Sequence, residues 1–467
     1  MTSIDVLPDD VLLVIFYFCV ALVRNEDTIR DIESWQSLAH VCGRWRTLVF
    51  GSPRRLNLRL VCTPRRPKRQ SLDIWPTFRI LIQGTISSTL TDNIVVALGH
   101  SDRVYRVNLE VISGLQWDKT LATMQVPFPA LTELLLWCDD ETAPVIPDTF
   151  LGRSAPHLRY LQLDRIPFPG IPKLLLSATH LIHLHLHGIP HSGYFSPEAM
   201  ITSLSLLTHL GALSIEFLSP RSLPDSDRLP PPMRRSILLN LTGFWFEGTS
   251  EYLDNLVARF DAPRLVNLFI TFFHQRDFDT PHLVQFISRT PSFEEPNGAE
   301  VNFDYKATDV RLLSSTSDDY GKLCVKLSCE EAPQQVSSMA QVCAKCLPPL
   351  PTVENLQVFP NFTTDPFTDL HWSEEDVGYD EWLEFLRPFH AVKSIYLSEE
   401  FQPGIASALQ QLVGGRTTEV LPSLQNIFLG DFRPFGPFQK DIEEFVNARQ
   451  LSGHSITVLP LCDVVGW

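Results

Sequence analysis

Pro156-His157-Leu158-Arg159-Tyr160-Leu161-Gln162-Leu163 decides how the body of this chain is read. A proline or polar turn leads into Leu-x-x-Leu-x-Leu, whose last two leucines alternate with other residues as one face of a strand does. The phrase returns at Pro129-Ala130-Leu131-Thr132-Glu133-Leu134-Leu135-Leu136, at His180-Leu181-Ile182-His183-Leu184-His185-Leu186 and at His209-Leu210-Gly211-Ala212-Leu213-Ser214-Ile215. Later copies are Pro263–Ile270, Val353–Val358, Val392–Leu397 and Pro422–Leu429. The first leucines of the early copies stand at 131, 158, 181 and 210, with gaps of 27, 23 and 29 residues. A strand-plus-helix repeat has a period of roughly 20–29 residues. Between copies, Phe195–Leu207 and Tyr252–Phe260 read as helices.

This phrase resembles the leucine-rich repeat. The resemblance implies one strand and one helix per repeat, with the strands in register in a curved parallel sheet. The copies are irregular: late gaps widen, and the asparagine of strict repeats is mostly absent. Ala299–Phe303 and Lys322–Ser328 read as further strands in a divergent middle section, and Ser455–Leu459 as a last one. The expected fold is α/β, an irregular solenoid over residues 76–467. A generic α/β domain with a mixed sheet is the rival, and the recurrence favours the solenoid. Leu229-Pro230-Pro231-Pro232 and Leu347-Pro348-Pro349-Leu350-Pro351 are expected in loops, because proline lacks the donor that a central strand or helix interior needs. Asn361–Asp376 reads as a longer polar and acidic excursion.

The amino-terminal fifty residues have a different character. Leu7-Pro8-Asp9-Asp10-Val11-Leu12-Leu13-Val14-Ile15-Phe16 starts with a proline suited to a helix's first turn. Two acids follow at the positive end of the helix dipole. From Val11 to Val23 no polar residue interrupts the run, so such a helix needs cover on more than one side. At thirteen residues it would span about 20 Å, short of a bilayer core of roughly 30 Å. Acids precede it, where a signal peptide carries bases. After Trp35, the residues Leu38, Val41, Cys42 and Trp45 recur at the spacing of one helical face.

Together these segments resemble the F-box, a short helical module that docks on a Skp-type adaptor in cullin-based ubiquitin ligases. The resemblance implies adaptor contacts by Leu7, Pro8, Val11, Leu12, Ile15 and Phe16, and by Val41, Cys42 and Trp45. Two departures stand out. Gly43 replaces a basic residue and would weaken a helix interior by about 1 kcal/mol. Arg24–Ser34 is longer and more charged than the usual link. The expected plan is therefore an F-box helical domain over 1–50, a basic linker or first repeat over 51–75, and the repeats over 76–467. It is similar to the large fungal families that join an F-box to divergent leucine-rich repeats. The implied function is that of a non-catalytic substrate receptor, with adaptor and cullin on one side and an unknown target protein on the other. A scaffold held by the adaptor outside any ligase is the alternative. An enzyme hidden in the irregular middle is a third class, and no catalytic motif supports it.

Composition narrows the classes further. A chain of 467 residues with 44% hydrophobic content can build a large core, and its net charge of −16 argues against nucleic acid as a partner. Nine scattered cysteines without a secretory signal point to reduced thiols in the cytoplasm or nucleus. Between Gly43 and Leu72 nine basic residues occur with no acid. Their dense part, Pro64-Arg65-Arg66-Pro67-Lys68-Arg69, reads as a solvated linker, as a nuclear-import signal or as a contact for an acidic partner surface. His183, His185 and His187 alternate along one strand. Zinc ligation is the sharp reading of them, and the polar side of a half-buried strand the plain one. Cys343-Ala344-Lys345-Cys346 lacks a second pair and reads as helix-core cysteines. Gly414-Gly415-Arg416-Thr417 lacks the rest of a phosphate loop. No cofactor or metal is expected.

Overall fold

Most Leu-x-x-Leu-x-Leu copies enter the fold in the same way. In the computed structural model, the first leucine's N–H closes on the carbonyl three residues back: Leu131 on Phe128, Leu158 on Ala155, Leu181 on Ala178, Leu265 on Ala262 and Leu424 on Leu421. The next residue donates to the preceding repeat, with Thr132 N to Tyr105 O, Arg159 N to Thr132 O and Ile182 N to Arg159 O each 2.8 Å. This turn satisfies backbone groups that burial would otherwise orphan.

The structure describes residues 4–21, 33, 35–65, 69–75, 77–86, 91–111, 114–139, 144–220, 235–273, 275, 278–294, 296–304, 306–313, 322–329, 331–348, 350–360, 377–398, 401–412, 416–430 and 439–461. Contacts divide the chain into one unit of Met1–Phe195 with Thr202–Leu210 and a second of Ser196–Ile201 with Gly211–Trp467.

The first unit begins with helices α1 (Asp9–Ala21), α2 (Trp35–Ala39) and α3 (Gly43–Gly51). Strands and helices then alternate: β1 (Arg59–Cys62), α4 (Arg69–Ile74), β2 (Arg79–Ile86), α5 (Asp92–Leu98), β3 (Val104–Val111) and α6 (Gly114–Thr123). They continue as β4 (Glu133–Cys138), β5 (Tyr160–Asp164), α7 (Ile171–Leu175) and β6 (His183–Ile189). These strands lie side by side in chain order, all parallel. Leu134, Leu136, Leu161, Leu163, Leu184 and Leu186 point to the buried face. Each contributes about 1.5–3 kcal/mol by leaving water. Residues 51–75, read as a basic linker or first repeat, hold β1 and α4.

The residues of helix α8 (Pro197–Leu204) are divided between the units, and beyond it the second unit holds β7 (Ala212–Phe217), β8 (Ser236–Ile237), β9 (Gly243–Gly248), α9 (Ser250–Val257), β10 (Phe260–Asp261), β11 (Asn267–Phe272) and α10 (Pro281–Ser288). A run of three strands comes next: β12 (Gly298–Phe303), β13 (Ala307–Leu313) and β14 (Lys322–Ser328). The unit closes with α11 (Ala332–Lys345), β15 (Asn355–Pro360), α12 (Tyr379–Leu386), β16 (Ser394–Leu397), α13 (Gln402–Gln410), β17 (Asn426–Leu429), α14 (Gln439–Leu451) and β18 (Thr457–Pro460). Its main sheet has the order β7-β9-β11-β14-β13-β12-β15-β16-β17-β18, and β8 pairs with β10 apart from it. The expectation of a wholly parallel sheet needs correction here. β13 runs antiparallel to both neighbours, so β12–β14 form a meander inserted in reverse order between β11 and β15. All eight Leu-x-x-Leu-x-Leu copies supply strands, and the anticipated middle and final strands are present. The excursion 361–376, the proline run 229–232, Arg66–Lys68 and Gly414-Gly415 lie outside the described residues.

Candidate functional site

The amino-terminal helices are locked by short polar ties. Leu12 N donates to Pro8 O, which places the proline just ahead of α1. Arg44 Nη2 donates to Leu7 O at 2.7 Å and pairs with Asp9, while Arg55 reaches Asp10 at 3.1 Å. These ion pairs are exposed and contribute at most about 1 kcal/mol each. The single helical face expected through Leu38, Val41, Cys42 and Trp45 is broken. α2 ends at Ala39, and Cys42 is the N-cap of α3, its Sγ accepting from Trp45 N at 3.4 Å. Gly43 is therefore the first residue of α3, where its interior penalty does not apply. Arg46 Nε donates to Ala39 O at 3.0 Å and ties the end of α2 to α3.

α1 divides its apolar residues between two faces. Leu12 and Phe16 are 0% exposed, and the Phe16 ring lies 4.6 Å from that of Trp45. These two residues, expected on the adaptor surface, face the helical core in this structure. The outer face carries Val11, Val14 and Phe18, at 42, 46 and 55% exposure, with Tyr17 beside them. Residues 11, 14 and 18 follow the spacing of one helical stripe. Of the other expected contacts, Pro8 and Val41 are exposed, and Leu7, Ile15, Cys42 and Trp45 are half-buried. Val14 and Phe18 were not singled out, because an unbroken apolar run does not say which side is covered.

The same helices seal the sheet's first edge. Glu33 is buried, and its carboxylate accepts from Val61 N at 3.1 Å and from Gln36 Nε2 at 3.1 Å. Trp35 Nε1 donates to Arg59 O at 3.0 Å. Both bonds satisfy the outward backbone of β1, an edge that would otherwise be open to pairing. Trp35 also stands edge-on to Trp75 and Phe78 at 5.6 and 5.2 Å.

The second candidate surface is the polar face of each sheet. In the first unit, register places Arg106, Glu133, Tyr160 and His183 in one row. Asn108, Leu135, Gln162 and His185 form the next row, and Glu110, Trp137, Asp164 and His187 a third. The histidines lie opposite buried Leu184 and Leu186, as the plain reading held. Burial first, then His187 and His183, push the His185 imidazole down to about 4. Between its ordinary 6.5 and that value the unfolded chain binds a proton that the fold does not, so stability falls as pH falls through this window. His185→Gln is expected to remove about 1–2 kcal/mol of this acid loss, half the full linkage because the side chain keeps water. Urea midpoints at about pH 7 and 4.5, for both chains, measure it; equal slopes would refute it. In the second unit a row runs Ser214, Trp245, Phe269, Cys324, Arg311, Glu300, Gln357, Tyr396 and Phe428. Trp245 stacks on Phe269 at 5.9 Å, and Tyr396 on Phe428 at 4.5 Å.

Chemistry elsewhere is quiet. Cys343 is buried in α11, and burial raises its thiol. Cys346 caps that helix, accepts from Thr280 Oγ1 at 3.1 Å and is pushed up to about 11, mainly by burial. Neither forms a thiolate at neutral pH. A cleft of about 340 Å³ beside them is lined by Leu347, Pro351, Glu384, Arg387 and His390. Arg387 there is paired with Glu384 at 3.0 Å and with Glu419 at 3.2 Å. Among the described residues, no group of three or more His, Cys, Asp or Glu is arranged to hold a metal, and no helix is long and apolar enough to cross a membrane.

No family model matches the chain, and no curated protein does. One solved structure, the leucine-rich repeat-containing protein LegL7 from Legionella pneumophila, aligns over 85% of this chain and 99% of its own, at 12% identity and a TM-score of 0.26. A likeness that low carries no weight for fold or function.

Proposed function

We propose that this chain is the substrate-recognition subunit of a Skp–cullin–F-box ubiquitin ligase. Its amino-terminal helices would bind the Skp-type adaptor, and through it a cullin. The repeat body would hold a target protein, and other subunits would perform ligation. The observation that carries the reading is the uncovered apolar stripe of Val11, Val14 and Phe18 on α1, in the segment that resembles the F-box. About half of each side chain remains to be removed from water, worth about 1 kcal/mol apiece. A few such anchors dominate a typical interface.

The test follows from the two faces of α1. Val14→Asp with Phe18→Asp is expected to weaken capture of a purified Skp-type adaptor by roughly a hundredfold, a loss of about 2.7 kcal/mol. Helix content should not change, because both residues face solvent. Undiminished capture by this double variant would remove the adaptor from the proposal. Cullin recruitment by the wild-type pair then separates a ligase subunit from an adaptor-bound scaffold.

A further inference from the structure

The polar face of the first unit's sheet contains a short row with unusual chemistry. Register sets Glu110 of β3 beside Trp137 of β4, and Trp137 beside Asp164 of β5. All three side chains are half-buried, on the face opposite the leucines. Neighbouring strands lie about 4.8 Å apart, so the two carboxylate-bearing strands stand about 10 Å apart with an indole between them. Glu110 accepts from Thr85 Oγ1 at 2.6 Å, and neither Glu110 nor Asp164 forms an ion pair among the described residues. Among the described residues neither belongs to a group of three or more ligands arranged to hold a metal. The two carboxylates can share a flat organic cation laid on the ring.

We propose that the Glu110–Trp137–Asp164 row is a binding site for an arginine side chain presented by an extended segment of a partner protein. Guanidinium is planar, stacks on aromatic faces, and carries five donors in a fork that reaches carboxylates on two sides. Lysine ammonium offers a point charge and no plane. The chain's net charge of −16 favours approach of a basic segment. The inference rests on the receptor reading, of which it specifies the target side: an arginine-bearing stretch of the bound protein.

A displayed library of random dodecapeptides, selected on the full chain, tests it. The wild-type protein is expected to enrich arginine at least fivefold over input, with lysine enriched less. Trp137→Ala, and separately Glu110→Gln with Asp164→Asn, should abolish that enrichment. The second variant keeps the ring and removes only the charge, so it also guards against loss of the fold. Peptides without arginine enrichment, no enriched peptides, or the same enrichment from the charge-neutral variant would each overturn the site. Adaptor capture, read in parallel, should be unchanged by these substitutions. Its failure in the wild-type chain would sink the receptor reading while leaving arginine selection to stand or fall by itself.

Discussion

Phe16→Ala should destabilise the amino-terminal helices by about 3–5 kcal/mol, the cost of emptying a fully packed aromatic site. Phe16 is wholly buried and packs on Trp45, and α1 contacts both α2 and α3. Two residues along the same helix, Phe18→Ala should move stability by no more than about 0.5 kcal/mol, since it is over half exposed. Hydrogen exchange across residues 9–51 distinguishes the two: Phe16→Ala loses protection there, and Phe18→Ala keeps it. Equal protection would mean that α1 does not pack through Phe16. The contrast also bears on function. A Phe16 variant that fails to bind an adaptor says only that the helices have come apart, whereas a Phe18 variant that fails says the surface has been lost.

The second large effect is expected at Arg449, at the other end of the chain. This side chain of α14 is fully buried. It donates to Thr417 O at 3.0 Å and Leu421 O at 2.6 Å, and its guanidinium lies 5.6 Å from the Phe445 ring centre. Burial lowers its pKa. Arg449→Ala orphans two carbonyls and opens a cavity, for a loss of about 3–5 kcal/mol. Arg449→Lys restores the charge without the fork and should recover less than half of the loss. Thermal unfolding of the three chains measures it. Equal midpoints for wild type and Arg449→Ala would show that the loop at 416–421 is held by something else.

Much of this architecture was legible, and the limits have physical causes. The eight leucine copies became strands because Leu-x-Leu both alternates and fits the buried side of a ladder. β9 escaped notice because phenylalanines take the leucine places in Leu241-Thr242-Gly243-Phe244-Trp245-Phe246, and β2 and β3 because isoleucine and valine take most of them. β13 could not be foreseen, since direction in a sheet is set by long-range pairing that leaves no local mark. The break after Ala39 was hidden because cysteine is an uncommon cap, and three-to-four spacing persists through the turn. Of the docking residues, spacing marked the right helix without marking its outer side. Glu33 lay in a charged stretch that reads as loop, and its bond to β1 gives it a role.

The reversed meander has a bearing on biosynthesis. In the second unit β11 must pair with β14, yet β12 and β13 leave the ribosome first. A nascent polypeptide that has emerged only through Leu313 therefore carries β11 with one flank bare, while β12 and β13 can already form a hairpin. That interval exposes a sticky ribbon to chaperones and to neighbouring chains. It closes only when the segment through Ser328 arrives.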